Sequence, residues 1–278
     1  MLRVYGTKVN SYGFRPQRSA HDALRKCQTN ITEGYKYVVD LDLEKYFDTV
    51  NQSRLIQILS ATINDGRVIS LIHKFLLAGV MVGGMFEDSP EGVPQGGPLS
   101  PLMGNVMLNE CNRELEGRGH RFVRYADDLT IFCKSKKAAK RTLEKILPFI
   151  EGKLFLRVNR EKTKVAHVNY VKYLGYGFYI YRGKGRLRIH PKSVKKLEDK
   201  IRLVTGRSNG MSIEERKTRL NSLIRGWMNY FKLADAKKLL ERLDEWIRRR
   251  IRMVTWKRVR TRGMNLMRAG IERRKAWE

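Results

Sequence analysis

The chain has 278 residues, 42% of them hydrophobic, enough for a sizeable core in one large domain or two smaller ones. Its 57 Lys and Arg against 28 Asp and Glu give a formal net charge of +29, which points to a polyanion, nucleic acid first, although a ribosomal-type or simply basic soluble protein has the same balance. Three isolated cysteines, Cys27, Cys111 and Cys133, exclude a disulfide framework or zinc ribbon, and no stretch is apolar enough for a signal peptide or membrane span, so a cytoplasmic protein with no membrane partner is expected.

In chain order, AHDALRKCQTNI reads as a short helix. YKYVVDLDL (35–43) has strand period, with Tyr37, Val39, Leu41 and Leu43 facing one way and Val38, Asp40 and Asp42 the other. NQSRLIQILSATI and GRVISLIHKFLLAG read as amphipathic helices, and the Gly- and Pro-rich GGMFEDSPEGVPQGGPLSP (83–101) as loop. LMGNVMLNECNRELEGRG reads as a helix closed by Gly119, RFVRYADDLTIFC as a β-hairpin and KAAKRTLEKILPFIEGKL as another helix. LRVNREKTKVAHV (156–168) and VKYLGYGFYIYRGKGRLRI read as strands with turns.

After His190 the pattern is helical throughout. Ser212 and Glu215 have capping-box spacing, and Leu220, Leu223, Ile224, Trp227 and Phe231 form one stripe. Leu239, Leu243, Trp246, Ile247 and Ile251 form the next, so three packed helices are expected. WIRRRIRMVTWKRVR has seven basic residues and no acidic one. A face carrying Arg248, Arg249, Arg252, Lys257 and Arg258 is therefore expected to meet RNA phosphates.

Asp127 and Asp128 sit side by side at the hairpin turn, where like charges repel and a compensating cation is needed. Mg²⁺ suits them, because it binds through one or two carboxylates and completes its shell with water and substrate phosphates. With Asp42 on a neighbouring strand, the set fits a site for two Mg²⁺ ions, with Mn²⁺ as a substitute, and phosphoryl-transfer chemistry. An Asp-Asp pair alone is also a common turn dipeptide.

The order of VVDLDLEKYFDTVN, GVPQGGPLSPLMGNVMLNE, FVRYADDLTIF, LRVNREKTKV and VKYLGYGF resembles the palm of reverse transcriptases, and more closely group II intron reverse transcriptase-maturases. NSYGFRPQRSAHDAL resembles the family's base of the fingers, and LNSLIRGWMNYF its maturase-specific helical thumb. The resemblance implies an α+β fold: a right-hand polymerase palm, an antiparallel sheet with packed helices, followed by an all-α three-helix thumb. It divides the chain into a fingers–palm junction (1–34), a palm (35–189) and a thumb (190–278).

The resemblance further implies Asp42, Asp127 and Asp128 as catalytic metal ligands, and Lys162 as the proton donor to pyrophosphate, although a solvated lysine fits that position too. Phe47, five residues after Asp42, would exclude a ribose 2′-hydroxyl, and this spacing favours Asp42 over Asp40. Gln95 would lie near the incoming nucleotide, Arg15 and Arg18 near phosphates, and Leu174 and Gly175 at the primer grip. The implied partners are intron RNA, an RNA template with a DNA primer, and deoxynucleoside triphosphates. Further fingers strands and a Cys/His-rich endonuclease segment are expected to be absent. Two other readings fit: a splicing cofactor that binds RNA without polymerising, and a mobile-element remnant.

Overall fold

The computed structural model describes residues 10–82, 85–87, 91–94, 96–206 and 209–268. Helix α1 (Ala20–Thr32) starts where Ser19 and Asp22 satisfy each other's backbone N–H groups in a capping box. Strand β1 (Tyr37–Leu41) leads to a short α2 (Tyr46–Thr49), then α3 (Gln52–Ser60) and α4 (Gly66–Leu77), capped by Asn51 and Asp65. A hairpin of β2 (Val80–Val82) and β3 (Met85–Glu87) precedes α5 (Ser100–Gly117). Next come β4 (Arg121–Tyr125), β5 (Asp128–Cys133), α6 (Lys136–Gly152) and β6 (Lys164–His167).

The main sheet has the order β4-β5-β1-β6, with every neighbouring pair antiparallel. With α5 and α6 as crossovers, this is the split βαβ arrangement, which places β1 between β5 and β6 in the middle of the sheet. One face carries Val39, Leu41, Leu129 and Ile131 into a core with Val106 and Met107 of α5 and Ile146 and Ile150 of α6. Val38, on the opposite face, is also buried, so Asp40 interrupts a strand covered on both sides.

A second sheet has the order β7-β8-β9, from Lys172–Tyr173, Tyr176–Tyr181 and Lys184–Ile189. The chain divides into two compact units within this sheet: Met1–Leu174 with Phe178–Arg186, and Gly175–Gly177 with Leu187–Glu278. The second unit holds the three helices α7 (Pro191–Val204), α8 (Ile213–Tyr230) and α9 (Lys237–Arg268). Ser212 caps α8 by accepting the Glu215 N–H at 3.0 Å. Leu220, Phe231 and Leu243 are buried there, whereas Ile251 is exposed.

Two sequence expectations need correction. Residues 83–101 are not all loop, because Met85–Glu87 pairs antiparallel with Val80–Val82. Only Lys164–His167 of 156–168 is a strand in the main sheet, because the Asn159 side chain accepts the Glu161 and Lys162 N–H groups and bends the backbone into a turn. Among the described residues, no helix is long and apolar enough to cross a membrane. Cys27, Cys111 and Cys133 are free and buried.

Candidate active site

The β4–β5 connection is a two-residue turn, Ala126 and Asp127, closed by the Tyr125–Asp128 pair. Ala126 has φ 57, a left-handed conformation that costs an L-residue about 1–2 kcal/mol. Its surroundings impose that conformation. The buried Arg124 guanidinium donates to the Ala126 carbonyl at 2.7 Å and to the side-chain oxygens of Asn105 and Asn112 on α5, both at 3.0 Å.

On the other side, residues 10–14 run along β4. The Arg124 N–H donates to the Asn10 carbonyl at 2.9 Å and the Tyr12 N–H to the Arg124 carbonyl at 2.8 Å. Asn105 donates to the Gly13 carbonyl at 3.1 Å, and a Cβ on Gly13 would lie 2.2 Å from the Ala126 nitrogen. Only glycine allows so close an approach. Burial lowers the Arg124 guanidinium to about 10, which leaves it charged at neutral pH.

Asp42 approaches the same turn from β1. The β1–β5 register ends at Leu41 opposite Leu129, and Asp42 and Asp128 are the next residue on each strand. The Asp42 backbone is held from both sides: its N–H donates to Thr163 Oγ1 at 3.2 Å, and its carbonyl accepts the Asn159 N–H at 2.9 Å.

Burial, then the like charges of Asp40, Asp127 and Asp42, push the Asp128 carboxyl up to about 8, against the pull of Lys172. Burial raises Asp40 to about 6, where Lys164 pulls it down and Asp42 pushes it up. Asp40 faces Lys164 across the β1–β6 pair at 3.8 Å. Such mutually repelling carboxylates are a donor set that a hard dication fits. Among the described residues no three carboxylate, imidazole or thiol groups converge as ligands. One or two carboxylates suffice for Mg²⁺ when substrate phosphates and water complete its shell.

The family described as "Reverse transcriptase (RNA-dependent DNA polymerase)" matches residues 6–178, more than half of the chain. The chain belongs to the reverse transcriptase family. Residues 194–270 match a second family, the group II intron maturase-specific domain. Protein YkfC of Escherichia coli is 35% identical over 197 residues, covering 57% of this chain and 52% of its own length. The group II intron-encoded protein LtrA of Lactococcus lactis is 28% identical over 267 residues, covering 69% of this chain and 44% of its own length. The chain thus spans about half the length of the curated relatives it matches. Telomerase from Candida albicans shares the fold, with a TM-score of 0.54 at 14% identity, covering 91% of this chain and 49% of the telomerase.

The reverse transcriptase domain implies a divalent metal. Within it, Phe47 packs edge-on against Phe14 with ring centroids 6.4 Å apart, and a Cβ on Gly104 would lie 3.1 Å from its ring. The residue before PQGG is anchored beside it, since the Val93 N–H donates to the Phe47 carbonyl at 2.6 Å. A Cβ on Gly92 would meet the Phe47 carbonyl oxygen at 2.7 Å. Gln95 itself lies outside the described residues. Lys162 is exposed and lies 3.7 Å from Asp42.

Arg15 and Arg18 both bind Ser11, Arg15 through the Ser11 hydroxyl at 3.1 Å and Arg18 through the Ser11 carbonyl at 2.7 Å. Leu174 (φ 49) and Gly175 (φ 82) form the β7–β8 turn, two consecutive left-handed residues as in a type I′ hairpin. The Gly175 carbonyl accepts the Ser193 hydroxyl at 2.7 Å. On α9, Arg249 and Arg252 are exposed, while Arg248 is paired with Asp244 at 2.8 Å. The side chains of Lys257 and Arg258 lie outside the described residues.

Sequence reasoning missed Arg124, Asn105, Asn112, Gly13, Thr163 and Asn159. A signal for the first three was present: an arginine at an inward strand position, and two asparagines seven apart, which share one helix face.

Proposed function

We propose that this chain is an RNA-directed DNA polymerase of group II intron type, adding deoxynucleotides to a primer 3′-hydroxyl on an RNA template and also binding intron RNA. The observation that carries this reading is the grouping of Asp42 with Asp127 and Asp128, whose charges repel one another beside a turn clamped by Arg124 and Gly13. Two Mg²⁺ ions bound there, with Mn²⁺ as a substitute, would supply the charge that activates the primer hydroxyl and neutralises the leaving pyrophosphate.

Asp42, Asp127 and Asp128 hold that charge in place, and Arg124 holds the turn that carries two of them. Lys162, exposed beside Asp42, gives a proton to the departing pyrophosphate. The Phe47 ring favours deoxyribose by occupying the space of a 2′-hydroxyl, while Gln95, Arg15 and Arg18 serve the nucleotide. Leu174 and Gly175 support the primer end, and Arg248, Arg249, Arg252, Lys257 and Arg258 contact RNA.

The test is primer extension on an RNA template with deoxynucleotides and Mg²⁺, run beside intron-RNA binding by the same preparation. Extension with binding is the expected result. Binding with no extension would overturn the polymerase reading and leave a splicing cofactor.

A further inference from the structure

The β4–β5 hairpin has a second end. Five residue steps of β5, about 17 Å of strand, separate Asp128 from Cys133. Beside Cys133 lies an open groove of about 780 Å³. Arg118, Arg121, Lys134, Arg141 and Lys145 line it with Tyr35, and no carboxylate does. The Lys134 ammonium sits 5.6 Å from the Tyr35 ring centroid, and Arg118 is steered by donating to the Lys145 carbonyl at 3.0 Å. His120, also in the lining, is held below its ordinary pKa by burial and by Arg118 and Lys145.

Several helix arginines elsewhere pair with a carboxylate three or four residues earlier: Arg25 with Asp22, Arg113 with Glu110, Arg202 with Glu198 and Arg219 with Glu215. Arg118 and Arg121 have Glu114 and Glu33. Lys134, Arg141 and Lys145 have no carboxylate partner among the described residues. Arg141 and Lys145 are moreover four apart on α6, a like-charge spacing that weakens a helix unless an anion relieves it.

We propose that this groove binds the phosphodiester backbone of a structured RNA, apart from the catalytic end of the palm. Unpaired, exposed cations beside an aromatic ring suit a phosphate track with a stacking surface at its edge. The inference stands on the groove's own charges and does not require polymerase activity.

The test compares two triple variants of the full chain with equal loss of charge. One is Lys134→Gln, Arg141→Gln, Lys145→Gln; the other neutralises the paired Arg25, Arg113 and Arg219. Affinity for a folded group II intron RNA is measured against salt, and extension on a short primer–template in parallel. The groove variant is expected to shallow the salt slope by about 3, one per lost phosphate contact, with extension kcat unchanged. The control is expected to shallow it by less than about 1. Equal slopes for the two variants, the result expected if the groove instead serves an acidic protein, would overturn the proposal. A wild-type chain that binds RNA with this groove dependence but does not extend primers would remove the polymerase reading and leave the groove standing.

Discussion

At its turn, the β4–β5 hairpin carries Asp127 and Asp128, with Asp42 nearby; at its open end it carries Arg121 and Lys134, with Arg141 and Lys145 alongside. The acidic end is over-determined. A buried arginine, two helix asparagines and a glycine with no room for a Cβ fix a turn that places like charges together. The basic end is made of long side chains at the strand ends and on α6, of which Lys134, Arg141 and Lys145 are exposed and have no carboxylate partner among the described residues. Chemistry at a metal site needs groups held to a fraction of an ångström, whereas a flexible polyanion is gripped by charge density that can adjust. One hairpin therefore has a rigid end and a compliant end.

The largest effect is expected at the rigid end. Asp127→Asn or Asp42→Asn should lower extension by at least about 10²–10³-fold, the scale for removing a preorganised electrostatic group, with intron-RNA affinity changed less than about twofold. Asp40→Asn should retain most activity, because Asp40 is engaged with Lys164. A dead Asp40→Asn beside an active Asp42→Asn would reverse the assignment on β1.

Next is the clamp. Arg124→Lys keeps the charge but loses the planar fork that reaches Ala126, Asn105 and Asn112 together. Extension kcat is expected to fall by about 10²-fold, the cost of a misplacement near 1 Å, with nucleotide KM and RNA affinity little changed. Gly13→Ala, which pushes on the same turn from the other side, should act likewise. Wild-type kcat in both variants would mean the turn holds its shape without them.

A smaller effect concerns selectivity. Phe47→Ala is expected to reduce discrimination against ribonucleotides by roughly 10–100-fold, measured as the ratio of kcat/KM for the two sugars. Unchanged discrimination would remove Phe47 as the gate.

The smallest effect is on stability and comes from Asp128. Its folded pKa, about 8, lies above the ordinary 3.8, so the folded state keeps a proton the unfolded state releases. Stability is therefore fully present below pH 3.8 and is lost as pH rises toward 8. In chelator-treated buffer, Asp128→Asn should stabilise the fold by on the order of 1–3 kcal/mol at alkaline pH and by little in mild acid. Added Mg²⁺ should narrow the gap by stabilising the wild type alone. A pH-independent difference in melting temperature would mean that burial and the neighbouring carboxylates do not hold the Asp128 carboxyl above its ordinary pKa.

Most elements were legible because their signals are local. Ser212 with Glu215 announces a helix start, and the alternation around Asp40 and Asp128 announces strands. The three carboxylates were legible because their motifs are contiguous and come in the family's order. What escaped was short or assembled at a distance. Strands β2 and β3 have three residues each, too few for alternation to register. The turn at 159–163 depends on one asparagine inside an otherwise strand-like run.

The clamp joins Gly13, Asn105, Asn112 and Arg124, and the groove joins Tyr35 to Lys145, so neither exists until the sheet forms. Arg15 and Arg18, whose sequence position suggests phosphate contacts, each donate to Ser11 in the segment that runs along β4.

The division of labour along the hairpin is tested most directly by crossing its two ends. Asp127→Asn and the triple groove variant are each assayed for primer extension on a short RNA template and for the salt dependence of intron-RNA binding. Asp127→Asn is expected to abolish extension and leave the slope intact, and the groove variant to shallow the slope and leave short-template extension intact. If Asp127→Asn still extended primers, or if both variants lost both activities, the claim that one end acts and the other grips would be contradicted.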